Sequence, residues 1–395
     1  MSKKELQILV TLAAVQFTNI LDFMVLMPLS PQIMGSFNLE PDEWSYLVGA
    51  YTAAATVSGI LTLFFIDKIG RRQFLLTVYV GFMIGTLMCA LSNTYELLFI
   101  SRIIAGLFGG ALGAVNMSIL GDVIPNEKRG RAMGILMIGF STASSLGVPI
   151  GLKISEMYGW NAPFYGVVIM ALVVIVMILA FIPPLKGHLK LQTGNTFQSL
   201  IEVFKSLNQL KALFFMFILV LGHFLIIPFI AAYMENNIGI DEDELFYIYL
   251  FGGVTAMFSG MITGKVSDAI GKQKVFVFGV LLTLIPIYLI TTMEPSALWY
   301  AILITTSFFI LNTIRIIPGM ALIVGAAEPK TRGVFMGVRS AVQMFASTVA
   351  SVIGGVIVIE DKTTGLFLNY DLLGYVAIVV SVAAIFLVGK FKSVN

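Results

Sequence analysis

Twelve apolar runs of about 20 or more residues dominate the chain, and each is long enough to cross the roughly 30 Å hydrocarbon core of a bilayer. The predicted spans, numbered 1 to 12, cover residues 6–34, 44–66, 74–93, 96–122, 131–158, 162–184, 210–235, 244–266, 275–293, 297–326, 333–358 and 367–389. With 58% hydrophobic and only 12% charged residues, the chain has too little polar surface for a water-soluble fold. A segment inside lipid must satisfy its own backbone hydrogen bonds, and the alternation typical of a membrane β-barrel is absent. The sequence therefore predicts an all-α membrane protein with twelve transmembrane helices.

A short polar segment between spans 2 and 3 has a counterpart between spans 8 and 9. Residues 66–73 read Ile-Asp-Lys-Ile-Gly-Arg-Arg-Gln, and residues 267–274 read Ser-Asp-Ala-Ile-Gly-Lys-Gln-Lys, with the same order of acid, glycine and bases. A second pair, 129–135 and 332–338, shares the pattern Arg-Gly-x-x-Met-Gly at nearly the same offset. Such a repeat indicates two pseudo-symmetric halves of six helices each.

A polar linker at residues 185–209 separates the predicted N-terminal half, 1–184, from the C-terminal half, 210–395. Apolar side chains recur at helical spacing within the linker, on the face opposite its polar residues: Phe197, Leu200, Ile201, Phe204 and Leu207 against Glu202, Lys205 and Asn208. This pattern predicts an amphipathic helix that lies on the membrane surface.

The charges of the connecting segments predict the orientation. If the N-terminus is cytoplasmic, nineteen Lys and Arg residues lie in inside segments and only Lys362 lies outside. The same outside segments are rich in acids, including the run 241–244. Because basic residues are retained on the cytoplasmic side, both termini and the linker are expected there.

These features together resemble the major facilitator superfamily, whose loop between helices 2 and 3 reads Gly-x-x-x-Asp-Arg/Lys-x-Gly-Arg-Arg/Lys. The matching residues are Asp67, Lys68, Gly70, Arg71 and Arg72 in the first copy, with Leu63 at the leading glycine, and Gly264, Asp268, Gly271 and Lys272 in the second. The resemblance implies an integral protein of a bacterial cytoplasmic (inner) membrane that works by alternating access.

The basic loop is predicted to latch the two halves together in one state. Asp67 can face the positive N-terminus of span 11 near Gly333, while Arg71 or Arg72 can reach Asp122 at the end of span 4. The alternative is that these residues are only topology-determining charges.

Ionisable side chains inside the spans are few, and each is costly in lipid unless it is paired or hydrated. Asp22, Arg102, His223, Arg315 and Arg339 lie in spans 1, 4, 7, 10 and 11. Helices 1, 4, 7 and 10 line the central cavity in the resembled family, which favours a functional role for the first four.

Asp22 is the leading candidate for proton coupling, with Arg102 as its partner. Arg102-Ile-Ile-Ala-Gly106 resembles the Arg-x-x-x-Gly motif of helix 4 in proton-coupled members, and Asn19 and Asp22 resemble a polar and acidic patch in helix 1 of drug and sugar exporters. Desolvation favours the neutral carboxyl and a nearby guanidinium favours the charged one, so a change in hydration could load or unload a proton. The alternative is a permanent ion pair that only fixes helix packing.

In the C-terminal half, Arg315, Asn312 one turn earlier and His223 are predicted to meet an anionic or hydroxyl-rich substrate, together with Asn19 of the other half. No acid of spans 7 to 12 lies at the depth of Arg315. His223 is equally consistent with a hydrogen-bonded histidine between helices.

Span 5 contains Gly147-Val148-Pro149-Ile150-Gly151, which resembles the helix 5 motif of the sugar and nucleoside efflux branch of the drug:proton antiporters. The small residues are expected to let spans 5 and 8 approach at a gate. The Gly-Pro pair of the exporter motif is split by Val148, so the direction of transport stays open.

The sequence thus predicts a proton-coupled secondary transporter that exports a small organic molecule, similar to a drug, sugar or nucleoside, by alternating access. The alternatives are proton-coupled uptake of an organic anion held by Arg315 and His223, and a membrane enzyme or interaction protein without transport. No phosphate-binding loop, metal-ligand cluster or nucleophile and base pair is visible, so no enzyme activity, cofactor or metal is expected. The expected partners are a small-molecule substrate, protons and the bilayer, without nucleic acid, and the chain is expected to act as a monomer.

Overall fold

The computed structural model describes residues 2–125, 128–186, 189 and 196–394. Within these residues, twelve helical spans are long and apolar enough to cross a membrane, which confirms the predicted fold class. They are Lys3–Val25, Pro41–Phe65, Arg71–Ala90, Tyr95–Val123, Arg129–Tyr158, Ala162–Phe181, Leu207–Ile238, Leu245–Ile270, Lys272–Thr291, Leu298–Gly325, Arg332–Ile357 and Tyr370–Val388. We number these spans 1 to 12.

The chain divides into two compact units. Unit 1 contains residues 1–26 and 50–196, and unit 2 contains residues 27–49 and 197–395. Span 2 therefore begins in unit 2 and continues in unit 1. The predicted halves differ from these units mainly because residues 27–49 pack with the C-terminal spans.

The two units use the same pairing of spans. In unit 1, span 1 packs against spans 5 and 6, and span 3 packs against spans 4 and 6. In unit 2, span 7 packs against spans 11 and 12, and span 9 packs against spans 10 and 12. Adding six to each span number in unit 1 gives the pairs of unit 2, which agrees with the internal sequence repeat.

Two spans are not continuous α-helices. Span 5 contains a π-helical turn at Ala143–Gly147, directly before Val148 and Pro149. Proline has no amide hydrogen and its ring clashes with the carbonyl four residues earlier, so the wider turn accommodates it. Span 7 ends its first α-helix at Phe224 and continues through a 3-10 turn at Ile227–Phe229, the helix Ile230–Tyr233 and a π turn at Met234–Ile238.

A helix lies at Thr196–Lys205 within the predicted linker, while residues 187–188 and 190–195 of the predicted linker, including Lys190, lie outside the described residues. Glu202 of this helix pairs with Lys330 at 2.7 Å. The hydroxyl of Ser206, the N-cap residue of span 7, donates to Glu328 at 2.6 Å. The hydrogen bond from Ser206 also holds the pKa of the Glu328 carboxyl below its usual range. Phe197, Ile201 and Phe204 of this helix are exposed, as expected for a face that meets lipid. Leu207, predicted on the same face, is instead the first residue of span 7.

Residues 27–49 are held within unit 2 by side-chain contacts. Trp44 is fully buried and its indole donates to the carbonyl of Pro228 at 2.8 Å. Ser351 of span 11 donates to the carbonyl of Ser45, also at 2.8 Å. Gly355, one turn further along span 11, lies so close to Ser45 that a side chain there would overlap the serine hydroxyl.

A short β-hairpin follows span 11 and contacts the same segment. Its strands, Ile359–Glu360 and Phe367–Leu368, pair antiparallel, with Ile359 opposite Leu368. Lys362 of the hairpin pairs with Glu40 at 2.7 Å. The side chain of Asn237 exchanges two hydrogen bonds with the backbone of Phe367, which fixes the hairpin to the end of span 7.

Candidate functional site

An ion pair between spans 1 and 4 forms the centre of unit 1. The guanidinium Nη1 of Arg102 lies 3.1 Å from Oδ2 of Asp22, and the exposed fractions of the two side chains are 1% and 0%. The second carboxylate oxygen of Asp22 accepts a hydrogen bond from the hydroxyl of Thr86 in span 3 at 2.9 Å. Both carboxylate oxygens therefore have a donor, and a neutral pair replaces two separate charges.

Tyr51 of span 2 completes this arrangement from the other side of the arginine. Its ring centroid is 4.5 Å from the guanidinium carbon of Arg102, a distance typical of a cation–π contact. Asn19 donates to the Tyr51 hydroxyl at 3.1 Å. The predicted residues Asn19, Asp22 and Arg102 are thus brought together, and Tyr51 and Thr86 are additional members that sequence reasoning missed.

Glycines of span 4 allow Tyr51 to come this close. A Cβ atom at Gly106 would overlap the carbonyl oxygen of Tyr51, and one at Gly109 would lie 2.5 Å from its hydroxyl oxygen. Gly106 is the last residue of the Arg-x-x-x-Gly motif. The spacing therefore places the charge of Arg102 and the close approach of span 2 on neighbouring turns of one helix.

A second polar cluster lies in unit 2 and links spans 7, 10 and 12. Arg315, 1% exposed, donates from Nε to the side-chain oxygen of Asn312 and from Nη1 to the hydroxyl of Ser381, each at 2.9 Å. The amide nitrogen of Asn312 lies 3.4 Å from Nε2 of His223. The three predicted residues form one hydrogen-bonded chain, and Ser381 is a fourth member that the sequence did not reveal.

The basic loop of unit 1 is organised by Arg71. Its guanidinium lies 2.9 Å from carboxylate oxygens of both Asp67 and Asp122, and it donates to the carbonyl of Ile66 at 2.6 Å. Arg72 instead donates to the carbonyl of Leu179 at 2.9 Å. Of the two arginines, Arg71 is the one that reaches Asp122.

Gly70 precedes this cluster as the N-cap residue of span 3. The following amide, that of Arg71, donates to the carbonyl of Leu185 at 3.1 Å, which ties the loop to the end of span 6. In the second copy of the motif, Gly271 has a φ of 103°, a conformation that favours glycine, while Asp268 and Lys272 are exposed.

The small residues of span 5 pack against span 1. Gly147, Pro149 and Gly151 are buried, and a Cβ atom at Gly151 would lie 2.7 Å from a methyl group of Val25. A Cβ atom at Gly147 would lie 3.0 Å from a methyl group of Leu21. These contacts join the motif to the helix that carries Asp22.

The family comparison agrees with this architecture. The family model described as Major Facilitator Superfamily matches residues 12–220 and 212–393. An uncharacterized MFS-type transporter of Bacillus subtilis (strain 168), YceJ, is 21% identical over 336 residues, which cover 85% of each chain. A probable sugar efflux transporter of Pasteurella multocida (strain Pm70) is 25% identical over 227 residues, or 57% of this chain and 55% of the relative.

Solved structures share the fold at low sequence identity. The xylose transporter XylE from E. coli has a TM-score of 0.76 and 16% identity, with 99% of this chain and 98% of that chain covered. The nucleoside transporter NupG also has a TM-score of 0.76, at 13% identity and with coverage of 98% and 99%. With its twelve membrane helices and family matches along almost its whole length, the chain is a member of the major facilitator superfamily and an integral membrane secondary transporter, not an enzyme.

Proposed function

We propose that this transporter exports a small organic molecule in exchange for protons and that Asp22 is the proton carrier. The observation that supports this most directly is the fully buried pair of Asp22 and Arg102. A buried ion pair has little value for stability, since desolvation of the two charges offsets most of their attraction. A pair of this kind inside a membrane helix bundle is therefore a candidate for proton transfer.

The groups around the pair suit a reversible separation. When Asp22 takes a proton it loses its charge, and its attraction to Arg102 falls from that of an ion pair to that of a hydrogen bond in which only the arginine is charged. The ring of Tyr51 then remains as a favourable partner for the guanidinium. Thr86 continues to hold the carboxyl group in place. Protonation would thus release Arg102 without leaving it in a wholly apolar environment.

Substrate contact is proposed for Asn19, His223, Asn312 and Arg315. His223, Asn312 and Arg315 carry polar groups near the middle of their spans, where transporters of this architecture bind their cargo, and Asn19 lies in the last third of span 1. Export is favoured by the likeness of Gly147, Pro149 and Gly151 to an efflux motif and by the relative described as a probable sugar efflux transporter.

A latch role is proposed for Asp67, Gly70, Arg71, Arg72 and Asp122, and for the second-copy residues Asp268, Gly271 and Lys272. The three-way contact of Arg71 gives unit 1 a preformed charged surface at the end of spans 2, 3 and 4. The charge distribution supports a cytoplasmic location for this surface and for both termini. We further propose that the protein resides in the bacterial inner membrane and acts as a monomer.

The proposal is tested with purified protein in liposomes that contain a pH-sensitive dye and carry an imposed pH gradient. Drugs, sugars, nucleosides and organic anions are added in turn to wild type and to Asp22→Asn. We expect at least one compound to dissipate the gradient in wild type and none to do so in the variant. Equal dissipation by both proteins would assign the proton to another site.

A matched control separates loss of coupling from loss of folded protein. Glu96→Gln removes an exposed acid at the start of span 4 and should keep wild-type coupling. Counterflow of the same compound is then measured without a pH gradient, and this shows whether each variant is still folded and able to move substrate. Asp22→Asn should retain counterflow, because that exchange needs substrate movement but no net proton transfer.

A further inference from the structure

The side chains of Arg315, Asn312 and His223 fix one another's donor and acceptor roles. Nε of Arg315 can only donate, so the atom of Asn312 that it contacts is the amide oxygen. The other end of Asn312 is then its NH₂ group, which donates to Nε2 of His223. Since Nε2 accepts, the proton of the neutral imidazole is on Nδ1.

Two donors of this cluster remain without a partner. Nη2 of Arg315 and Nδ1 of His223 are buried and make no hydrogen bond to any described residue. An unsatisfied buried donor is expensive, especially when it carries charge. Both open groups are donors, so the group that would satisfy them is an acceptor.

The charge of Arg315 is also uncompensated. Among the described residues, ion pairs form at Arg71 and Arg102, but none joins Arg315 to a carboxylate. The contrast with unit 1 is direct, because there Arg102 meets Asp22. In unit 2 the side chain of span 7 that joins the cluster of Arg315 is a histidine, His223.

We propose that the missing acid is a carboxylate group of the transported molecule, bound by Arg315 and His223. This inference rests on the proposed function, because it names the substrate class of the same transporter, and it applies to either direction of transport. A carboxylate brings one negative charge, which matches the one guanidinium of this cluster, and its two oxygens can accept from the two open donors. A phosphate dianion would bring a second negative charge, and the cluster formed by Arg315, Asn312, Ser381 and His223 contains no second cation. His223 is half-buried as a whole residue, and its Nδ1 atom is buried.

The test uses thermal unfolding of the purified full chain in detergent. The probes are sodium formate, acetate and benzoate, each compared with its neutral amide at constant ionic strength set by sodium chloride. We expect at least one carboxylate to raise the unfolding midpoint of wild type saturably while its amide does not. In Arg315→Met the dissociation constant for that acid should rise at least tenfold, and in Arg315→Lys it should rise by less.

Arg339→Met is the matched control. It removes a second, partly buried arginine of unit 2 that contacts Met320 and lies outside the cluster, so carboxylate binding should be unchanged. Carboxylate binding to the wild-type protein is measured without a proton gradient, and gradient dissipation is measured separately in liposomes. Failure of the carboxylate site and failure of proton coupling are therefore distinguishable.

Three results would overturn the proposal. They are the absence of stabilisation by any of the carboxylates, stabilisation that persists in Arg315→Met, and a ligand-free Arg315→Met protein that is markedly less stable than wild type. The last result would show that the arginine is a structural bridge to Asn312 and Ser381. Transport of the bound acid by wild type but not by Arg315→Met would complete the support, while binding without transport would contradict a substrate role.

Discussion

Nη1 of Arg102 lies 3.1 Å from Oδ2 of Asp22, and neither side chain is accessible to solvent. The pair joins spans 1 and 4, and Thr86 connects it to span 3. One contact thus combines two properties that are separable by experiment. It fixes the packing of three helices, and it holds a titratable group in the buried interior of unit 1.

Removal of one partner should cost much more stability than removal of both. Asp22→Asn leaves a buried guanidinium without a counter-charge, and we expect a loss of about 3–5 kcal/mol in the free energy of unfolding. Adding Arg102→Gln removes that orphan charge and should restore part of the stability. Denaturant unfolding of the two single variants and the double variant gives the coupling energy. A double variant as unstable as the sum of the single ones would show that the two charges do not interact.

Close approach of spans 2 and 4 should depend on Gly106. A methyl group there meets the backbone carbonyl of Tyr51, which cannot move aside as a side chain can, so Gly106→Ala should lower stability by about 1–3 kcal/mol. At Gly113, on the same helix, an added methyl group would meet no atom within 4 Å. Gly113→Ala should therefore stabilise the protein by about 0.5–1 kcal/mol through helix propensity. Thermal unfolding in detergent measures both. Equal effects would mean that propensity alone, and not the contact with Tyr51, determines the result.

The three-way contact of Arg71 should not tolerate lysine. A single ammonium cannot reproduce the planar arrangement that reaches Asp67, Asp122 and the carbonyl of Ile66. We expect Arg71→Lys to destabilise unit 1 by about 1–3 kcal/mol, since charge-assisted hydrogen bonds are lost. Arg72→Lys, which replaces a single bond to a backbone carbonyl, should stay within about 0.5 kcal/mol of wild type. Chemical unfolding in micelles compares them, and similar losses in both would refute the special role of Arg71.

The parts of the fold that were predictable from the sequence are those set by lipid. The number of spans follows from the number and length of the apolar runs. The pairing of Asp22 with Arg102 follows from the scarcity of charged residues inside the spans. Tyr51, Thr86 and Ser381 were not predictable, because hydroxyl side chains are common in membrane helices and carry no charge signal. Their roles become visible only when distances are known.

Helix geometry shows a similar division. Pro149 lies inside an apolar run and signals a break in a helix, yet the sequence does not say that a π turn absorbs it. The packing of residues 27–49 with unit 2 depends on contacts between residues about 184 to 306 positions apart, such as Trp44 with Pro228 and Ser45 with Ser351. Patterns of period 2 or 3.6 contain no information at that separation.

Residues 27–49 should detach from the rest of unit 2 when Gly355 is replaced by a larger residue. A leucine at this position would overlap Ser45, and even its Cβ atom would lie 3.0 Å from the Cα atom of Asp42. The test introduces a buried thiol as Val48→Cys in a Cys89→Ala background and measures its rate of modification by a maleimide. We expect Gly355→Leu to accelerate labelling by about tenfold, equivalent to about 1.4 kcal/mol in the local opening free energy.

The neighbouring residue of span 11 provides the control for this last experiment. Val356 is 69% exposed, so Val356→Leu adds bulk to the same turn of the helix on a face that does not meet residues 27–49. Its labelling rate should equal that of the parent. An unchanged rate in Gly355→Leu would show that the segment moves without loss of contact, whereas acceleration in both variants would point to general loosening of span 11. Acceleration in Gly355→Leu alone would mean that close packing at Gly355 holds the start of span 2 on unit 2.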